Sequence, residues 1–177
     1  MELNEFRKKL EQATQGIPCK HPQCINSLSN DYSHSIVKQG NPNDMDTTTD
    51  CFIYVFKQKI PNSLMEIIHK ISENSQENLK NCIQELLESG FIELHDIKST
   101  DDTVIVYFDN SIVKHFGKIV NGEIISKWGK GLIWKHPVFE VPISYGNIVK
   151  YSNGKINIDI LEKILNKTMN YLTKQSS

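Results

Sequence analysis

Long hydrophobic runs are missing from this chain. No stretch of its 177 residues approaches the ~20 consecutive apolar residues that cross a bilayer, so no membrane-spanning helix is expected. Charge of one sign is missing as well: Lys+Arg 20 against Asp+Glu 21 gives a formal net charge of −1. Nucleic acid and anionic lipid surfaces call for a basic excess, and neither is expected as a partner. The opening stretch, MELNEFRKKLEQ, is charged and lacks the apolar segment of a secretory signal. The expected compartment is the cytoplasm; export by a route that uses no such signal would leave no mark here. Cysteine is scarce, with Cys19, Cys24, Cys51 and Cys82 unevenly spaced. That pattern points to thiols rather than to a disulfide framework. What is present, 38% hydrophobic and 23% charged residues, suits one globular domain with a sizeable core.

Helical patterns come first along the chain. Residues 2–14 read as a short amphipathic helix with Phe6 and Leu10 on one face. Residues 16–46 carry Pro, Asn, Ser, Asp and Gly in quantity and read as an irregular loop. A helix is expected from Cys51 to about Ile60, capped by Thr49 or Asp50 and ended by Pro61. Ser63 and Glu66 have capping-box spacing ahead of a second helix. A third runs from about Ser75 to Ser89, with Leu79, Cys82, Ile83, Leu86 and Leu87 aligned and Gly90 following.

At Phe91 the pattern changes to strands. FIELHDI, TVIVYF (103–108), IVKHFGKIV and EIISKWG read as four, with Asn121-Gly122 as a two-residue type I′ turn between the last two. NIVKYS reads as a short edge strand. The segment KHPVFEVPISYG reads as irregular. Ile160, Leu161, Ile164, Leu165, Thr168 and Leu172 mark a C-terminal amphipathic helix. Helices first and an antiparallel meander after is an α+β order, divided here into an N-terminal helix and loop, 1–46, and a main domain, 47–177.

Cys51 stands in the first turn of its helix, directly behind Asp50. The positive end of a helix dipole lowers a thiol pKa, and a thiol nucleophile needs a nearby base. His115, mid-strand, is the candidate base. With Asn121-Gly122 as the turn, Gly117 faces Ser126 and His115 faces Trp128. Alternation then puts His115, Ser126 and Trp128 on one face and Lys127 on the other. Ser126 could orient the imidazole, Trp128 could shield it, and Gly117 would leave room for a substrate. His136 is a second candidate orienter. The blander reading of Cys51 is a small buried side chain. Cys82 reads as packing. Cys19, His21 and Cys24 could bind zinc, but their spacing fits no common finger, so neither a metal nor a cofactor is expected. The loop that carries them could also fold over Cys51 as a lid.

A cysteine opening a helix, followed by a histidine on a strand of an antiparallel meander, resembles the papain-like cysteine hydrolases, in particular transglutaminase-like and NlpC/P60-like domains. The stretch HFGKIVNGEIISKWG carries the likeness. Together with the later His and YG it is also similar to a bacterial domain family without an assigned function, whose members read roughly HAARQL-DG-WTSKLG. The resemblance implies a papain-like fold, Cys51 as nucleophile, His115 as base, and a peptide or protein substrate. It gives no third member: Ser126 or Lys127 stands where an Asp or Asn is usual. The expected chemistry is acyl transfer through a thioester, ending in a peptidase, amidase or transamidase, with an oxyanion held by the Cys51 N–H and a donor from the 40s loop. The alternative is a non-catalytic binding or regulatory domain of immunity or adaptor type on the same scaffold.

Overall fold

A six-stranded antiparallel sheet separates two apolar cores. The computed structural model describes residues 3–15, 17–40, 49–129 and 131–175. Its helices are α1 (Leu3–Ala13), α2 (His21–Leu28), α3 (Cys51–Phe56), α4 (Asn62–Asn74), α5 (Gln76–Glu88) and α6 (Ile158–Gln175). The strands are β1 (Val37–Gln39), β2 (Val104–Asp109), β3 (Ile112–Val120), β4 (Glu123–Lys127), β5 (Ile133–His136) and β6 (Ile148–Ser152). The strand order is β1-β5-β4-β3-β2-β6, and every pairing is antiparallel. The fold class is α+β, as the order of patterns requires.

Side-chain alternation sends β2 to both cores at once. Val104, Val106 and Phe108 join Phe116 and the apolar faces of α3 to α6. Ile105 and Tyr107 point the other way, into a core closed by Phe6 and Leu10 of α1, Ile25 of α2, and Trp128, Trp134 and Val141. The unbroken apolar run of β2 is therefore the mark of a strand covered on both faces.

The hairpin is as its turn chemistry dictates. Asn121 and Gly122 have φ of 52° and 81°, both left-handed as a type I′ turn requires. Pairing runs from Val120↔Glu123 to Gly117↔Ser126. Ser75 caps α5 by accepting the Glu77 and Asn78 N–H groups, and β6 is an edge strand.

Five expectations change. α3 ends at Phe56, with Lys57 as its C-cap, rather than at about Ile60 ahead of Pro61. Residues 91–97 form no strand; they make only isolated bridges, Ile92 to Ile156 and His95 to Tyr151. Ser63 does not cap α4, which starts at Asn62 behind Pro61 with no side-chain cap. The stretch 16–46 contains a 3₁₀ turn, α2 and β1, and β1 pairs with β5 in the main sheet. Polar Asn, Ser and Gln around Ile25 hid the helix. The end of β5, Lys135 and His136, falls in the segment expected to be irregular, where Pro137 follows the strand rather than interrupting it.

Among the described residues no helix is long and apolar enough to cross a membrane. Nor do three His, Cys, Asp or Glu groups gather there to hold a metal ion. Cys19 and Cys24 are exposed thiols, whereas His21 is buried.

Candidate active site around Cys51 and His115

Asp50 caps α3: its carboxylate accepts the Ile53 N–H at 2.9 Å. Burial raises the Asp50 pKa, opposed by N–H groups of Ile53 and Phe52 and by the charges of His69 and Lys127. Cys51 is the first residue of this six-residue helix and packs beside the helix-side core. The backbone N–H of Phe116 lies near enough to its sulfur to draw the thiol pKa down.

That proximity follows from the sheet. The Ile119 N–H points to Thr103 on the β2 side, so by alternation the Phe116 N–H points toward β4. β4 has already left: its last pair with β3 is Gly117↔Ser126. The Phe116 N–H is therefore left unpaired by β4, on the side where the Cys51 thiol approaches. A small cavity of about 150 Å³ opens beside it, lined by Asp50, Cys51, Phe52, Leu79, Val113 and Phe116 among others.

The electrostatics oppose the expected activation. Burial, helped by the neighbouring Asp50 carboxylate, pushes the Cys51 thiol up to about 12, although the Phe116 and Phe52 N–H groups pull the other way. A helix of under two turns sums few peptide dipoles, and desolvation wins.

His115 lies one residue along, on the opposite face. It is 1% exposed. Burial holds its imidazole pKa well below the ordinary value, with the nearby His136 adding to the shift. Its ring stacks on Tyr145 with centroids 3.9 Å apart and planes 16° from parallel, and Tyr107 lies 5.7 Å away. His115 Nε2 has no hydrogen-bond partner among the described residues, and none of the hydrogen bonds found there joins the ring to the Cys51 sulfur.

The other expected partners are engaged elsewhere. Ser126 shares the His115 face but bonds His136 Nε2 at 2.7 Å. The Trp128 indole N–H donates to the Ser126 hydroxyl at 3.0 Å. His136 Nδ1 lies 2.8 Å from the Pro137 carbonyl. A carbonyl can only accept, so Nδ1 carries the proton and Nε2 accepts the Ser126 hydroxyl hydrogen. Burial lowers the His136 pKa to about 4, which keeps that tautomer neutral. Neither Ser126 nor His136 thus orients His115. Trp128 does not cover it either; that ring belongs to Tyr145. The room expected at Gly117 is taken, since a Cβ there would sit 3.0 Å from Ile105 and 3.3 Å from both Ile124 and Ser126. The expected oxyanion donor in the 40s loop lies outside the described residues.

Sequence reasoning missed Tyr145 and Arg7 altogether, and placed Lys127 without giving it a role. Lys127 is 2% exposed and its ammonium donates to the Gly131 carbonyl at 2.7 Å. Tyr145 sits in a segment that two prolines mark as loop, so no period flags it. The one available signal was the tight spacing of SKWG ahead of a second histidine and a tyrosine.

Residues 43–153 match a domain of unknown function (DUF7689), well over half of the chain. The chain belongs to this family. No curated protein and no solved structure matches it. The DUF7689 segment runs from just before α3 to the end of β6 and holds Cys51, His115, Ser126, Lys127, His136 and Tyr145. Helices α1, α2 and α6 lie outside it.

Proposed function

We propose that this DUF7689 protein is a cysteine-dependent acyl-transfer enzyme, an amide hydrolase or transamidase of papain-like type acting on a peptide or protein in the cytoplasm. One observation carries the reading: the Cys51 thiol lies by the Phe116 N–H, one residue along the strand from a buried histidine whose Nε2 has no partner among the described residues. Catalytic hydrogen bonds are often long in the free enzyme and tighten on binding substrate. Both groups rest neutral, so the chemistry is of the general-base kind. Cys51 attacks the carbonyl carbon as its proton passes to His115. The tetrahedral species collapses to a thioester as His115 returns the proton to the leaving amine. Water or a second amine then releases the acyl group.

The test is mass spectrometry of the intact protein after exposure to a panel of peptide amides, activated esters and peptidyl electrophiles. An adduct on Cys51 that disappears in His115→Ala supports the reading. Adducts confined to the exposed Cys19 and Cys24 overturn it.

A second reading, a non-catalytic binding domain on the same scaffold, is favoured by two observations. The thiol is pushed up rather than down, and Ser126 is committed to His136.

A further inference from the structure

We infer that Tyr145 is the positioning residue for the His115 imidazole, taking by stacking the part that a hydrogen-bonded third residue plays elsewhere. This rests on the reading of His115 as the base. A ring at 3.9 Å and 16° fixes the imidazole plane while leaving Nε2 free of any acceptor.

Tyr145 is itself held at several points. Its hydroxyl is buried, with the Gly129 N–H close enough to oppose the upward pKa shift that burial causes. The loop that carries it is clamped from α1, outside the DUF7689 segment. The buried Arg7 guanidinium donates to the Val141 carbonyl at 3.1 Å, to Pro142 at 3.4 Å and to Gly146. The Glu11 carboxylate accepts the Ser144 N–H at 3.1 Å. Gly146, at φ 89°, lets the chain turn against β2, where a Cβ would collide with the Phe108 carbonyl. Burying a guanidinium is costly unless it is hydrogen-bonded, and the three carbonyls that meet this need tie the loop to one shape. The N-terminal helix thus sets the ring that sets the imidazole.

The experiment pairs nuclear magnetic resonance of the His115 ring with Cys51 acylation, in the full-length protein and in Tyr145→Phe and Tyr145→Leu. In the unsubstituted protein, the stacked ring shifts the His115 ring-proton signal upfield and gives a cross-peak to Tyr145 ring protons. Phe keeps most of the shift. Leu abolishes it and slows acylation by about tenfold to a hundredfold, the scale of a misplaced catalytic group. Absence of the cross-peak, a reading that needs no substitution to fold, overturns the proposal. So does a Leu variant that acylates at the normal rate while His115→Ala does not. If no form acylates Cys51, the enzymatic reading falls and the cross-peak alone decides whether Tyr145 positions the ring.

Discussion

The Cys51 thiol lies by the backbone N–H of Phe116 that β4 leaves behind when it parts from β3. The thiol thus has a structural role whether or not it does chemistry. Cys51→Ala strands that N–H in a largely buried place, at a cost of about 1–3 kcal/mol. Cys51→Ser keeps an acceptor there and should lose less. Urea unfolding of the two variants, together with hydrogen exchange at the Phe116 amide, checks this. Equal stability and equally slow exchange would show that the sulfur is not the acceptor.

Much of the scaffold was legible because its local rules agree. The Asn-Gly turn fixed the hairpin, and with it the shared face of His115 and Ser126. The apolar run of β2 and the heptad-like spacing of α5 and α6 each have one reading. The site was legible only in part. Alternation places His115 and Phe116 on opposite faces of β3, but the point where β4 leaves β3 depends on packing no local signal carries. The Cys51 thiol pKa was misjudged for a related reason. Helix placement is visible in a sequence, whereas the desolvation that overrides it is produced by the whole fold. Arg7 and the loop that carries Tyr145 meet across more than a hundred residues, and nothing near either one announces the other.

Histidine burial gives the fold a pH dependence whose sign is fixed. His136 is held neutral, with its pKa lowered from 6.5 to about 4, and His115 is shifted in the same direction. Below about pH 6.5 the unfolded chain takes up protons that the folded chain refuses, so stability falls as the pH drops, and for His136 the effect saturates near pH 4. For His136 alone the cost is on the order of 3 kcal/mol. Thermal unfolding of the unsubstituted protein and of His136→Gln between pH 8 and pH 4 should give curves that converge toward low pH. Parallel curves would mean that His136 is not buried in the neutral form.

Two glycines separate backbone strain from collision. Gly122, at φ 81°, has open space where a Cβ would stand; Gly146, at φ 89°, abuts the Phe108 carbonyl. Gly122→Ala should cost only the left-handed strain, about 1–2 kcal/mol. Gly146→Ala adds displacement of β2 or of the Tyr145 loop, for a total of about 3 kcal/mol or more. In a chain of this size that corresponds to a melting temperature lowered by roughly 10 °C. Similar melting temperatures for the two variants would contradict the close approach at Gly146.

Ser126 supplies the sharpest separation between structural and catalytic roles on the His115 face. Its hydroxyl receives the Trp128 indole proton and gives its own to His136. Ser126→Ala therefore leaves a buried donor and a buried acceptor unmatched, each worth about 1–3 kcal/mol. The loss should appear as an earlier urea midpoint with an unchanged slope. The His115 ring signal should stay where it is, since its neighbour is Tyr145 and not the serine. If Ser126→Ala instead moves the His115 signal and spares stability, the serine is the orienter of the imidazole after all, and the Tyr145 assignment gives way to it.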